Sequence, residues 1–381
     1  MYLKRRSPDF TGTVKCLWSR PDAVRGYASG VSLHGHTLHS REFLDFIPRV
    51  FARLPFLGGV PEALSRRRQR RSGLSISFRR AFWRPPLHAR AAYDLEAAQI
   101  HQTLELAPMV ALTDHDDLEA CADLHAIGIA VPYALEWTVP FEGTVFHLGI
   151  YNLPPEHAGS LAAAMACYTS QPAPQLLREM LAELDALPDV LIVLNHPLCC
   201  DLRLDRAAHA ALLQQFLRLH GARLHALELN GLQPASDNRE VVRMAAEVGL
   251  PVISGGDRHC LEPNANVNLT NAASFAEFVH EVRRDCLSCV LFLPQYRDAL
   301  ATRYIEFISQ AVQTYPVLIG RERWSDRVFY DHERDGLQSL STMWPEGAPM
   351  LIRGFVSALG FLATRRATLR MAFGQQGEIG A

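Results

Sequence analysis

The sequence predicts an α/β fold, because short apolar runs alternate with helix-like stretches over most of its length. The apolar runs have the length of buried strands and are bounded by turn residues. They span residues 30–34, 109–114, 144–151, 190–196, 224–230, 250–257 and 289–294. Apolar residues at helical spacing lie between several of these runs, at residues 94–106, 174–187, 238–248 and 273–284.

The order of these elements also predicts how the chain is divided. Strands that alternate with helices are typical of a parallel sheet, and about seven of them suit a closed barrel with its active site at the C-terminal strand ends. We expect this catalytic unit at residues 29–295, after an N-terminal extension at residues 1–28. Residues 41–92 interrupt it as an insertion. A helix at 298–314 then begins a mainly helical C-terminal extension, residues 296–381.

Composition excludes several classes of protein. A hydrophobic content of 48% and a charged content of 20% argue against disorder, and the net charge of -2 gives no general reason to expect a polyanion-binding protein. No apolar run reaches the roughly 18 residues that a membrane span needs. The eight cysteines are scattered, and the basic start MYLKRRSPDF lacks an apolar core. We therefore expect reduced thiols and a cytoplasmic location.

Histidines and carboxylates gather at the ends of the predicted strands. His34 and His36 are two apart on a strand, so their side chains face the same way and can bind one cation together. Asp257 and His259 repeat this spacing. Four more candidate ligands are associated with other apolar runs. His115 and Glu136 each follow such a run, His147 lies inside one and His196 ends one. A single such histidine is more often a hydrogen-bonded structural residue, but five strand ends together predict a metal cluster.

The order of these motifs resembles the PHP (polymerase and histidinol phosphatase) family of metal-dependent phosphoesterases. The matching segments are HGHT (34–37), LTDHD (112–116), Glu136 with His147, NHP (195–197), ELN (228–230) and GGDRH (255–259). They follow the family's order over residues 29–295, apart from the insertion. The resemblance implies a distorted (β/α)7 barrel with a site for two or three metal ions.

The resemblance also implies which residues hold each ion. The first metal would be held by His34, His36, Glu136 and Asp257. Glu136 would bridge to a second metal held also by His147 and His196. A third metal would take His115 and His259.

This sequence departs from the family's pattern at the third metal. The family often has an acidic residue or a histidine after the HxHT motif, and the equivalent position falls near Arg41 or Glu42. His39, Glu42 and Asp45 are the substitutes, and Glu42 is our candidate ligand. Without a firm carboxylate, the third metal should bind most weakly.

Clustered divalent ions suit the hydrolysis of a phosphate ester. They lower the pKa of a bound water and neutralise the phosphoryl oxygens that carry charge in the transition state. Mixed histidine and carboxylate ligands fit Zn, Mn or Fe better than Mg or Ca. The candidate catalytic residues are Glu136, Asp257, His115 and Asp116. Among them Asp116 and the pair of His115 with His259 are nearest to a role in proton delivery.

Arginines supply the candidate substrate contacts. Residues 52–90 contain ten arginines and one acidic residue, Glu62. Arginine binds phosphates in bidentate fashion, so the candidates in the dense segment 65–71 are Arg66, Arg67 and Arg68. Nearby Phe78, Phe82 and Trp83 could stack bases, which makes nucleic acid a candidate partner, although a solvated loop is the alternative. Arg258 is a further phosphate candidate, although strand alternation turns it away from the metals.

Three functions remain open at this point. The first is hydrolysis of a phosphomonoester or a nucleotide-like phosphodiester, with a phosphorylated small molecule or nucleotide as substrate. The second is cleavage of an amide-type bond at the same metals, as in amidohydrolases. The third is a non-catalytic binding or regulatory module that kept the fold. A homo-oligomer is compatible with all three.

Overall fold

The computed structural model describes residues 12–44, 66, 70, 77–199, 204–332 and 335–379. Most of the Arg-rich segment therefore lies outside the described residues, including Arg67 and Arg68. The same is true of Asp45, one of the three substitutes for the third metal. Arg66 is described and is exposed.

The strands and helices have the following bounds. The strands are β1 (Thr13–Cys16), β2 (Ser29–Ser32), β3 (Glu42–Phe43), β4 (Ala81–Trp83), β5 (Ala107–Val110), β6 (Tyr133–Phe141), β7 (Thr144–Leu153), β8 (Leu191–Asn195), β9 (Ala226–Asn230), β10 (Val252–Gly255), β11 (Asn266–Thr270), β12 (Cys289–Phe292), β13 (Val328–His332) and β14 (Gly336–Ser339). The helices are α1 (Ala89–Leu104), α2 (Glu119–Ala126), α3 (Ala158–Ser170), α4 (Pro174–Ala186), α5 (Arg206–His220), α6 (Ala235–Val248), α7 (Phe275–Arg283), α8 (Leu300–Ala311), α9 (Trp324–Arg327), α10 (Leu340–Met343), α11 (Met350–Ala363) and α12 (Arg366–Phe373). Short 3₁₀ helices span Phe78–Arg80, Gly221–Arg223 and Pro294–Arg297.

The described strands form three sheets, with orders β1-β12-β11-β2-β5, β10-β9-β8-β7-β6 and β14-β13-β4-β3. All seven predicted strands are present, but the expectation of parallel strands is wrong in part. In the first sheet β11 is antiparallel to both neighbours, and in the second β7 is antiparallel to β6 and β8. The cause in the second sheet is a hairpin whose turn residues, Glu142 and Gly143, have φ of 46° and 84°. A tight turn of this kind requires antiparallel strands.

The two five-stranded sheets meet at two seams. At one, His115 after β5 forms an isolated parallel bridge with Glu136 in β6. At the other, Gly35 after β2 bridges to Arg258 after β10, and Gly256 N donates to Leu33 O at 3.0 Å. Over the described residues these contacts do not make one continuous ladder, so the architecture is a mixed α/β fold of several sheets and the closed barrel is not confirmed. Candidate ligands lie at or next to both seams.

Side-chain alternation along β6 directs one candidate ligand away from the outer core. Leu135, Trp137 and Val139 are buried in the largest apolar cluster, which also includes residues of α3, α4 and α5. Burying each of these side chains stabilises the fold by roughly 1.5–3 kcal/mol. Because successive side chains of a strand point to opposite faces, Glu136 is turned to the other side. It is 1% exposed there.

The chain segments at either end of the predicted catalytic unit also join sheets. Strand β1, from the predicted N-terminal extension, pairs in parallel with β12. Strands β13 and β14 lie in the predicted helical extension, and β13 pairs with β4 from the insertion. The last helix, α12, is held by Arg366 and Arg370, which both pair with the buried Asp298. Every helix in the described part of the chain is too short or too polar to cross a lipid bilayer.

Candidate metal centre

The structure brings all nine predicted metal ligands together. They come from the ends of β2, β5, β8 and β10, from β3, and from the β6–β7 hairpin. Their ligand atoms form four groups, and within each group the atoms lie within 4.8 Å of one another. The groups are His34, His196 and Asp257; His34, His36 and Glu136; His36, Glu42 and His259; and His115, Glu136 and His147. Several residues belong to two groups, so the groups form one continuous cluster.

Glu136 lies at the centre of this cluster. Its Oε1 lies 3.0 Å from His196 Nε2 and 3.5 Å from His147 Nδ1. Its Oε2 faces three further imidazoles, whose Nε2 atoms lie at 3.1, 3.4 and 3.4 Å: His34, His36 and His115. A carboxylate that directs its two oxygens at different sets of imidazoles has the arrangement of a bridging ligand.

Asp257 and His259 close the cluster on the side of β10. Asp257 Oδ1 lies 3.4 Å from His36 Nε2 and 3.6 Å from His34 Nε2. His259 stacks on His36 with ring centroids 4.3 Å apart. Both candidates that follow β10 therefore face the HxH pair, as their two-residue spacing predicts.

Of the two described substitutes for the third metal, His39 and Glu42, the structure places Glu42 in the cluster. Glu42 Oε2 lies 3.1 Å from His259 Nε2 and 3.4 Å from His115 Nε2. His39 faces away and pairs with Glu119 at 2.8 Å and with Asp123 at 3.0 Å.

The cluster fits divalent cations because several of its buried polar atoms lack a hydrogen-bond partner among the described residues. His34 Nε2, His36 Nε2 and Glu136 Oε2 are buried and make no hydrogen bond to any described residue. Buried side-chain polar atoms are almost always hydrogen-bonded, so such a concentration of exceptions indicates a missing partner. Neutral imidazoles and carboxylates together are ligands of transition metals. These residues could therefore hold metal ions.

The electrostatics of the cluster follow from burial and from mutual attraction. Burial lowers the pKa of His36 to about 4 and that of His147 to about 3, so both are neutral imidazoles near pH 7, the form that binds a metal. Burial acts to raise the pKa of Glu136, but the imidazoles of His34 and His115 hold it well below its ordinary value. Burial acts to lower the pKa of His115, but the negative charge of Glu136, followed by that of Glu42, raises it to about 10.

Several of these residues have an uncommon backbone conformation. His34, Asp116 and Asp257 have φ of 60°, 53° and 55°, in the left-handed region that favours glycine. Such a conformation costs on the order of 1–3 kcal/mol for a non-glycine residue and is concentrated at functional sites. Here it occurs where the chain turns after a strand, and at His34 and Asp257 it directs the side chain into the cluster.

Glu228, to which the sequence analysis assigned no role, positions two of the predicted ligands. Glu228 Oε2 lies 2.6 Å from His34 Nδ1, and its Oε1 accepts hydrogen bonds from Asn230 Nδ2 at 2.7 Å and His196 N at 3.2 Å. Asn230 Nδ2 also donates to Asp257 Oδ2 at 3.2 Å. Glu228 and Asn230 share one face of β9, so the Glu-x-Asn spacing in ELN is the signal that could have identified them.

We expect Glu228→Gln to weaken metal binding by about ten- to a hundredfold, because a carboxylate paired with a ligating histidine orients the ring and raises its basicity. Zinc titration of the apoprotein measures this affinity. Glu247→Gln, an exposed change on α6, is the matched control. Equal affinities for the Glu228 variant and the control would show that Glu228 does not support His34.

Arg258, which the sequence analysis offered as a phosphate contact, is buried and paired within the protein. The side chain is 3% exposed, and its Nε lies 2.8 Å from Glu96 Oε1 in a buried ion pair. Its other nitrogens donate to His36 O at 3.1 Å and Cys260 O at 3.2 Å. Strand-like alternation after β10 turns it away from Asp257 and His259. Arg258 therefore fixes the backbone of the HxH segment.

The aspartates on either side of His115 fix the surrounding loops. Asp114 accepts hydrogen bonds from Thr37 N at 2.5 Å and from Thr37 Oγ1 at 2.6 Å, which ties the HGHT segment to the end of β5. Asp116, a predicted catalytic residue, accepts one from Thr138 N at 2.8 Å. Burial raises the pKa of Asp116.

Comparison with known proteins gives partial structural likenesses. No family model and no curated protein matches the chain. A chain assigned as a metal-dependent phosphoesterase, from Bifidobacterium adolescentis, is 16% identical with a TM-score of 0.33, over 51% of this chain and 91% of that one. PsfC from Pseudomonas syringae is 16% identical with a TM-score of 0.37, over 54% and 83%. An amidohydrolase from Chromobacterium violaceum is 16% identical with a TM-score of 0.29, over 46% and 83%. The side-chain cluster itself therefore carries the functional argument.

Proposed function

We propose that this chain is a metal-dependent hydrolase of phosphate esters, acting on a phosphomonoester or a nucleotide-like phosphodiester. The observation that carries the proposal is the convergence of nine imidazole and carboxylate ligands, with Glu136 between two sets of imidazoles. The order of the motifs along the sequence, which resembles the PHP family, supports a phosphate ester as the substrate class.

We further propose that the strands of the two five-stranded sheets that lie within residues 29–295 form the distorted (β/α)7 barrel of that family, with β1 added at the edge beside β12. Support comes from the two seams, which join the edge strands β5 to β6 and the end of β2 to the end of β10. On this arrangement the insertion and the C-terminal extension lie outside the barrel, where their strands β3, β4, β13 and β14 form a sheet of their own.

Two or three divalent ions, such as Zn, Mn or Fe, would be held by this cluster. His34, His36, Glu136 and Asp257 would hold the first, Glu136, His147 and His196 the second, and Glu42, His115 and His259 the third. When bound, such ions lower the pKa of water and neutralise phosphoryl oxygens.

The chain's own residues would orient the site and move the leaving-group proton. Glu228 and Asn230 hold His34 and Asp257, while Asp114 fixes the loop that carries His36. We propose Asp116 and the pair of His115 with His259 as candidates for proton delivery, because the two imidazoles lie on either side of Glu42 at the third metal position and Asp116 adjoins His115.

Hydrolysis of an amide-type bond is the second candidate. The specific observation in its favour is that Arg258, the predicted phosphate contact beside the ligands, is tied to Glu96 in the core. Without a phosphate contact from Arg258, the metal ligands suit a metal-polarised carbonyl as well as a phosphoryl group. Contacts from Arg66, Arg67 and Arg68, and a nucleic-acid partner, stay predictions of the sequence.

Metal analysis combined with a substrate screen tests the proposal. We expect at least two transition-metal ions per chain, and phosphate release from a panel of phosphomonoesters or cleavage of nucleotide diesters. Chelation should abolish turnover, and Zn or Mn should restore it. Full activity without metal would refute the proposal, cleavage of amides and lactams alone would favour the second candidate, and bound metal without any turnover would indicate a binding module.

A further inference from the structure

A cleft lies beside the metal cluster, between the loops that follow β9 and β10 and one face of α8. The space in it that a water-sized sphere can reach is about 40 Å³, within an open volume of about 450 Å³ that includes solvent at its mouth. Arg303 and Phe307 line it from α8, one helical turn apart and thus on one face. The loops contribute Leu232, His259 and Glu262.

His259 belongs both to this cleft and to the metal cluster. Its Nε2 lies 3.1 Å from Glu42 Oε2, on the side of the cluster. Its ring meets Phe307 edge to face, with centroids 5.8 Å apart, on the side of the cleft. His259 is therefore the residue at which the cluster and the cleft adjoin.

Arg303 gives the cleft a positive charge that forms no direct ion pair within the described residues. The side chain is 3% exposed, and within the described part of the chain it makes no ion pair, while its Nε has no hydrogen-bond partner. Its guanidinium donates instead to the backbone carbonyls of Gly231 and Gln233. Carbonyl groups satisfy N–H donors but do not neutralise a buried charge, which is costly without a counterion.

The other charged side chains that line the cleft are paired within the protein. Glu262 lies 3.0 Å from Arg366 Nη2 on α12, and Arg258 lies 2.8 Å from Glu96. Burial lowers the pKa of Arg303, and the charges of Glu262 and Asp298 oppose this only in part. A bound anion in the cleft would add the direct ion pair that Arg303 lacks.

We propose that this cleft binds the part of the substrate that is not cleaved, and that this part carries an anionic oxygen group that pairs with Arg303. The inference rests on the proposed function, because it extends the substrate of the same site. A carboxylate and a second phosphate share the required chemistry, and the closing experiment separates them.

The test measures binding of three non-hydrolysable probes to the metal-loaded protein by calorimetry. The probes are phenylphosphonate, 4-carboxyphenylphosphonate and 1,4-phenylenediphosphonate. At least one para-charged probe should bind about tenfold more tightly than phenylphosphonate, equivalent to about 1.4 kcal/mol, and the tighter of the two identifies the anionic group. Arg303→Gln should remove this preference and Arg303→Lys should retain part of it. Arg353→Gln, an exposed change on α11, should leave it unchanged.

A second variant keeps the proposal testable if the loss of Arg303 prevents folding. Leu232→Trp should fill the cleft and weaken the para-charged probes more than phenylphosphonate, with metal content unchanged. Tight phenylphosphonate binding without any preference for a para charge would overturn the cleft proposal alone. No binding of phenylphosphonate to the metal-loaded protein would contradict the proposed phosphoesterase function.

Discussion

Glu136→Gln should remove metal binding and turnover together. Glutamine preserves the shape of the side chain but removes the negative charge that five imidazoles face, at distances of 3.0–3.5 Å. It also puts an N–H donor where a ligand oxygen is needed. We expect metal content to fall below one ion per chain and kcat/KM to fall at least about a thousandfold, equivalent to about 4 kcal/mol of transition-state stabilisation.

The measurement pairs elemental analysis with steady-state kinetics. Glu156→Gln makes the same chemical change at an exposed position after β7 and should leave both values unchanged. Far-UV circular dichroism should match the wild type, because Asn195 Nδ2, which donates to Glu136 Oε1 at 3.0 Å, can still donate to the amide oxygen. Undiminished metal content in the Glu136 variant would show that this carboxylate does not bridge the ions.

The ligands could be predicted from the sequence because most of them follow apolar runs that read clearly as strands. His34, His196 and Asp257 all come directly after such runs. The strands before these three residues all end at the same side of the fold, so side chains far apart in sequence meet there. An apolar run alone therefore predicts both the strand and the position of the residue at its end.

The elements that the sequence did not predict depend on polar burial or on distant pairing. Strand β11 carries Asn266 and Asn268, which are fully buried and polar, so its hydrophobic pattern is weak. Asn268 Nδ2 donates to Ser254 Oγ at 2.7 Å, a partner from another strand that local patterns cannot reveal. The strand that carries Glu42 is similar, because β3 has two residues and is defined by its pairing with β4.

Glu42→Gln should loosen one metal position and leave the other two nearly intact. The carboxylate lies between His115 and His259, and it also accepts a hydrogen bond from Ser40 Oγ at 2.6 Å. Removing its charge leaves two imidazoles without an anionic ligand, so we expect affinity at this position to fall by one to two orders of magnitude. Titration of the apoprotein with Zn should show two tight sites and one loose site, the loose one weakened further by the substitution.

His39→Ala is the discriminating control, because His39 lies three residues from Glu42 and was an alternative ligand in the sequence. Its ring is engaged by Glu119 and Asp123 outside the cluster, so its removal should leave all three affinities unchanged. The third position should remain the weakest even in the wild type. Its carboxylate belongs to a two-residue strand, whereas Glu136 lies within the nine-residue strand β6, which pairs along its length with β7. A rigid ligand loses less conformational entropy on binding than a mobile one. Three equally tight sites, or a loose site sensitive to His39 and not to Glu42, would contradict this assignment.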